Sequence, residues 1–105
     1  MATYEFQSNG EETYQLFRKR WLGSKKLDVY FSKNHFGRYV LSVSYKDESA
    51  DTNMMSSIQA KKIVRLLKNL GVSNTALRNT NFSKGADSRA KEHLCQLVAS
   101  LEVAE

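Results

Sequence analysis

Apolar and polar positions alternate with two different periods along this chain, and the switches between them predict its elements. Ala2, Tyr4 and Phe6 alternate with Thr3, Glu5 and Gln7, the period of a short half-buried strand. Over residues 8–22 the period changes. Ser8-Asn9-Gly10-Glu11 fits a capping box, in which the Ser hydroxyl accepts from the amide three residues on and Glu reaches back. Thr13, Tyr14, Phe17 and Trp21 then share one helical face. Glu11 and Glu12 stand in the first turn and Arg18, Lys19 and Arg20 in the last, as the macrodipole favours, and Gly23 supplies a left-handed stop. A helix running to about Leu22 is expected, with Trp21 as a core anchor.

Alternation returns with Leu27, Val29 and Phe31 against Asp28, Tyr30 and Ser32. It breaks at Asn34-His35-Phe36-Gly37 and resumes with Tyr39, Leu41, Val43 and Tyr45 against Val40, Ser42 and Ser44. Two such segments around an Asn- and Gly-bearing connection predict a β-hairpin. Residues 47–54 are expected to form a polar loop. Ser56-Ser57-Ile58-Gln59 offers a second capping box, followed by a helix with Gln59, Ile63, Leu66, Leu67 and Leu70 on its core stripe. Lys61, Arg65 and Lys68 fall on the opposite side, and Gly71 ends the helix. Residues 72–82 carry the weakest pattern, a strand over 76–80 or a loop. Asp87 caps a last helix whose Ala90, Leu94, Leu97, Val98 and Leu101 share a face.

The resulting order is β-α-β-β-α-(β)-α, an α+β domain with an antiparallel sheet, helices packed on one face and the other face wet. If residues 76–80 join the sheet, the order is the ferredoxin-like split βαβ arrangement with an extra C-terminal helix; otherwise three strands lie under three helices. The 105 residues suit one domain over 1–105.

Composition narrows the class. Hydrophobic residues at 41% and charged residues at 26% are those of an ordinary globular chain. No apolar run is long enough to span a membrane, and residues 1–12 do not follow a signal-peptide pattern. Cys95 is the only cysteine, so intrachain disulfides and Cys-based zinc sites are impossible. A cytoplasmic protein of a bacterium or phage is expected.

Candidate chemistry is sparse. His35 lies in the hairpin turn and His93 on the flank of the last helix, neither placed by sequence beside a nucleophile. Cys95 sits off its helix's apolar stripe and is read as an inert, partly buried thiol. No HExxH, EF-hand loop, P-loop or GxGxxG occurs. The expectation is a non-enzymatic protein without cofactor or metal.

Charge carries the functional expectation. The net charge is +5, in alternating blocks: −3 over residues 1–17, +7 over 18–46, −3 over 47–54, +6 over 55–86 and −2 over 87–105. Clustered Lys and Arg bind nucleic-acid phosphates by releasing counterions. The candidates are Arg18, Lys19 and Arg20; Lys25 and Lys26; Lys33 and Arg38 about the hairpin turn; and Lys61, Arg65 and Lys68 on the second helix. His35 and Phe36 in the turn are placed to wedge or stack against a base. Stacking on the sheet is not expected, because the outer side of the hairpin offers Val40, Ser42 and Ser44, with Tyr30 its one aromatic. The leading expectation is therefore a nucleic-acid-binding module that works through phosphate contacts. The alternative is a regulatory adaptor or inhibitor, of the kind phages encode, that docks on an acidic protein surface. Leu16, Leu22, Met54 and Met55 would then supply an apolar patch, although tucking under a loop is the commoner fate of such residues. Monomer and homodimer are both open.

Overall fold

A computed structural model describes residues 3–10, 12–54 and 56–103 of the chain. Five strands follow one another: β1 (Thr3–Ser8), β2 (Thr13–Lys19), β3 (Ser24–Lys33), β4 (Tyr39–Tyr45) and β5 (Glu48–Asp51). Then come α1 (Ser57–Asn69), α2 (Asn74–Arg78), β6 (Asn81–Phe82) and α3 (Ser88–Glu102). The sheet order is β5-β4-β3-β2-β1-β6, so the first five strands form an antiparallel meander. β6 returns alongside β1 and pairs with it in parallel. The sheet is thus mixed rather than purely antiparallel, and no helix crosses between the first two strands as a split βαβ unit requires.

The largest correction concerns residues 8–22, which form the turn into β2 and β2 itself instead of a helix. Asn9-Gly10 is the turn: the Asn9 N–H donates to Thr13 O at 2.8 Å, and Gly10 has φ +138°. A period of two also runs through this segment, with Tyr14 and Leu16 on one face and buried, and Thr13 and Phe17 on the other. Leu16, expected off the core, is fully buried. Strand pairing on both sides of β2 decides between the periods, and its Thr, Tyr and Phe content suits a pleated surface. Glu11, the acid of the expected capping box, lies outside the described residues, as do Ala2 and Met55.

Residues 48–51, expected as loop, form β5, turned from β4 by Lys46 at φ +55°. Ala50 is their one apolar side chain, too little to announce a strand. Residues 72–82 hold neither the expected strand at 76–80 nor a loop. Ser73 caps the short α2, its hydroxyl accepting from the Ala76 amide at 3.1 Å, and the strand lies later, at β6.

The remaining helices stand where the pattern placed them. Ser56 accepts from the Gln59 amide at 3.3 Å to start α1. Ile63, Leu66 and Leu67 are buried, with Gln59 and Leu70 half-buried. The helix ends in a Schellman motif: Val72 N–H donates to Leu67 O and Gly71 N–H to Lys68 O, with Gly71 at φ +83° and Val72 buried. Asp87 caps α3, which buries Ala90, Leu94, Val98 and Leu101.

All three helices lie against one face of the sheet, giving a compact α+β domain. Between them and the strands sits a core containing Phe6, Leu16, Val29, Phe31, Leu41 and Val43. Phe31 stacks on Tyr39 at 4.8 Å, and Phe82 of β6 stacks on Phe6 at 5.2 Å. No helix among the described residues is long and apolar enough to cross a membrane.

Candidate nucleic-acid interface

The meander brings five of the expected cations into one projection. β4 pairs with β3 only from Val29 to Lys33, so residues 24–28 lack a β4 partner, and of these Ser24, Lys25 and Lys26 pair with β2. β2 and β3 therefore run on as a ribbon to a tight turn. Lys19 faces Ser24, the Arg20 N–H donates to Gly23 O at 2.9 Å, and Gly23 takes the left-handed conformation at φ +83°. A residue with φ > 0 after two residues in ordinary conformations is what closes such a hairpin, and glycine does so without a Cβ penalty.

Trp21 and Leu22 occupy the apex. Trp21 is 96% exposed and Leu22 86% exposed. The expectation that Trp21 anchors the core is overturned: once residues 13–19 are a strand, position 21 lies beyond the sheet, with no helix face to turn it inward. Around this apex stand Lys19, Arg20, Lys25 and Lys26, all exposed, and the half-buried Arg18. Residues 13–27 contain no acid. Asp28 follows on β3, and Glu5 of β1 ion-pairs with Lys19 at 3.6 Å. Among the described residues Arg18, Arg20, Lys25 and Lys26 make no ion pair.

At the root of the ribbon the register of β2 on β3 shifts between Gln15 and Phe17. Gln15 fills the gap, donating from Nε2 to Leu27 O and to the Tyr30 hydroxyl, both at 3.2 Å. A carbonyl lost from the ladder is thereby satisfied, which lets the ribbon bend without stranding a buried polar group.

The other expected site residues lie elsewhere. Lys33, His35, Phe36 and Arg38 sit at the far end of β3, whose ten residues span about 30 Å. Lys33 is ion-paired with Glu12 at 3.3 Å, and Arg38 donates to Asn53 O. Phe36 is exposed, its ring 4.1 Å from that of His35. Lys61, Arg65 and Lys68 are exposed on α1, on the outside of the helical layer. Arg65 makes two 2.9 Å bonds to Glu48, which hold that carboxyl below its ordinary range. The candidate cations therefore stand in three separate groups. Only the finger combines unpaired cations with an exposed tryptophan.

Trp21 and Phe17 are not legible as candidate site residues from the sequence, because the helical pattern over residues 8–22 puts both on its core face. For Trp21 a contrary signal is present. Trp21 is bracketed by Arg18-Lys19-Arg20 and Lys25-Lys26 and followed by Gly23, a poor setting for a core residue.

A shallow, open groove lies between the start of β4 and α3, lined by Arg38, Tyr39, Met54, His93 and Leu97. Its histidine contacts the Tyr39 ring at 5.3 Å. Among the described residues no three His, Cys, Asp or Glu side chains are grouped to hold a metal. No family model matches the chain, and no curated protein or solved structure matches it either.

Proposed function

We propose that this chain is a non-enzymatic module that binds nucleic acid through the β2–β3 finger. One observation carries the reading: Trp21, 96% exposed, stands at the apex of a ribbon bearing Arg18, Lys19, Arg20, Lys25 and Lys26. Burying a large apolar side chain such as Leu22 is worth roughly 1.5–3 kcal/mol, which the fold leaves unused at this tip. A nucleic acid meets both halves of the finger. Its phosphates neutralise the cations with release of counterions, and a base offers a flat face to the indole.

The test is fluorescence anisotropy of labelled DNA and RNA titrated with the protein over a salt series. Five phosphate contacts would give a log K that falls against log salt with a slope of about −4. Changing Lys19, Arg20, Lys25 and Lys26 to Gln flattens that slope and weakens binding. Binding with no salt dependence, or none at low salt, rejects the reading.

A second reading rests on Leu22, whose exposed side chain has no use in base stacking. A cationic ribbon with Trp and Leu at its tip also fits a regulatory protein that docks on an acidic partner surface.

A further inference from the structure

We infer that the nucleic acid taken by this finger is single-stranded, and that the uncovered sheet face receives its bases on Phe17 and Tyr30. This rests on the finger binding nucleic acid at all, and adds the substrate class.

The helices cover one face of the sheet only, and the strand register sets what stands on the other. One cross-strand row reads Gln7, Gln15, Tyr30, Ser42 and Asp51. The next reads Glu5, Phe17 and Lys26. The register shift separates these rows unequally: Gln15 and Phe17 are two residues apart on β2, whereas Tyr30 and Lys26 are four apart on β3. Phe17 and Tyr30 therefore share a face across the shift, with exposed Asp28 between Tyr30 and Lys26. Both are half-buried, so their orientations are held while part of each ring meets solvent. The Gln15 side chain fixes Tyr30 further through its 3.2 Å bond to the hydroxyl.

This platform is continuous with the finger. Phe17 and Lys19 alternate onto the same face of β2, and Lys26 stands across from Phe17 on β3. A strand whose phosphates follow Lys19 and Lys26 toward the tip lays its bases over Phe17 and Tyr30, and Trp21 takes a further base at the apex. Charge sets the direction of that path. Asp51 at the β5 edge and exposed Asp28 beside Tyr30 both repel phosphate, so the phosphates keep to Lys19 and Lys26 and only bases reach Tyr30.

Geometry favours a single strand over a duplex. In a duplex the base faces are stacked away, and a flat sheet meets only backbone. In a single strand every base offers a π face, and stacking is tolerant of sequence. A duplex that accepted the two-stranded ribbon in its major groove would leave Phe17 and Tyr30 unused.

The experiment compares labelled oligodeoxythymidine with a hairpin duplex at matched salt, for the native chain and for Phe17→Leu/Tyr30→Leu. Leucine keeps these half-buried positions apolar while removing the π face, and circular dichroism confirms the fold of the variant. The native protein is expected to prefer the single strand by about tenfold or more, with quenching of Trp21, the only tryptophan. The double variant should lose about tenfold in single-strand affinity yet keep its duplex binding and salt slope. Equal or tighter duplex binding, or a double variant that binds the single strand like the native chain, overturns the inference and leaves the finger reading standing. No salt-dependent binding to either probe removes both.

Discussion

The Tyr39 hydroxyl donates to Asp87 Oδ2 at 3.1 Å, tying β4 to the residue that caps α3. Tyr14 of β2 holds the same residue from its other side, its hydroxyl accepting from the Asp87 N–H at 3.0 Å. Asp87 Oδ1 meanwhile accepts from the Arg89 N–H at 3.0 Å, the cap itself. Two tyrosines of the sheet thus fix where the last helix begins. The arrangement shifts both acids: the Arg89 amide first, then the Tyr39 hydroxyl, hold Asp87 below its ordinary range. Burial, and then the bond to Asp87, push Tyr39 well above its own.

A pH dependence follows. Because the folded state depresses Asp87, the unfolded chain binds this proton more readily, and stability rises with pH through the acid range. The contribution is present above the ordinary carboxylate value of about 3.9 and is lost as pH falls through the lower folded value. Tyr39→Phe removes one of the causes of that depression. The variant should melt lower at neutral pH, and its melting temperature should fall less steeply below about pH 4. Melting curves that stay parallel to those of the native chain across that window would show that the hydroxyl is not coupled to Asp87.

Trp21→Ala and Leu16→Ala should behave oppositely. Trp21 is exposed at the tip, so its loss should change stability by no more than about 0.5 kcal/mol. Leu16 is fully buried, and its truncation should cost about 2–5 kcal/mol. A helix over residues 8–22 would reverse the order, with Trp21 in the core and Leu16 off it. Urea denaturation of the two variants decides between these phases. Nucleic-acid affinity should fall for Trp21→Ala by the worth of a stacked base, about 1–3 kcal/mol.

These residues also show how far the sequence could be read. The β3–β4 hairpin, α1 and α3 were legible because each has one dominant period and a cap to bound it: Asn34 and Gly37 in the hairpin, Ser56 and Gly71 on α1, Asp87 on α3. Residues 8–22 satisfied two periods at once, and local capping and charge favoured the wrong one. Asn9-Gly10, flanked by the alternating Tyr4/Phe6 and Tyr14/Leu16, was the better guide, since a pairing partner lay on each side of it. That single ambiguity hides the candidate site. With β2 taken as a helix, Phe17 could not join Tyr30 on the sheet, and Trp21 had no reason to be exposed. β5 and β6 were unreadable for another reason: they are short edge strands, held by pairing with β4 and β1 rather than by a pattern of their own.

Gly71→Ala isolates the conformational part of a helix stop. Gly71 has φ +83°, and a Cβ built there would touch nothing within 4 Å. No clash with the rest of the fold contributes, and the cost is the local one of placing an L-residue in the left-handed region, about 1–2 kcal/mol. The Tyr4 hydroxyl bonds to Gly71 O at 2.9 Å, so the backbone is held in place and has little room to relax. Denaturation midpoints of the native chain and the variant measure it. A neutral result would mean that the Schellman turn opens at little cost.

Lys61, Arg65 and Lys68 provide the control for the interface, because they match the finger in charge but differ in position. They are exposed on the outer side of α1, across the helical layer from the uncovered sheet face, and Arg65 is already engaged by Glu48. Neutralising all three to Gln should leave cooperative unfolding intact, since none faces the Ile63, Leu66 and Leu67 stripe. It removes three positive charges, as many as a finger variant with Arg20, Lys25 and Lys26 changed to Gln. Long-range attraction scales with net charge and should fall alike in both. Direct phosphate contacts should not: each one lost lowers the salt slope by about one. The finger variant is therefore expected to lose slope and affinity together, while the α1 variant keeps its slope and loses only the part of the association rate that salt screens. Equal loss of slope in the two would mean that the helical face touches phosphate as well, and would return α1 to the binding surface.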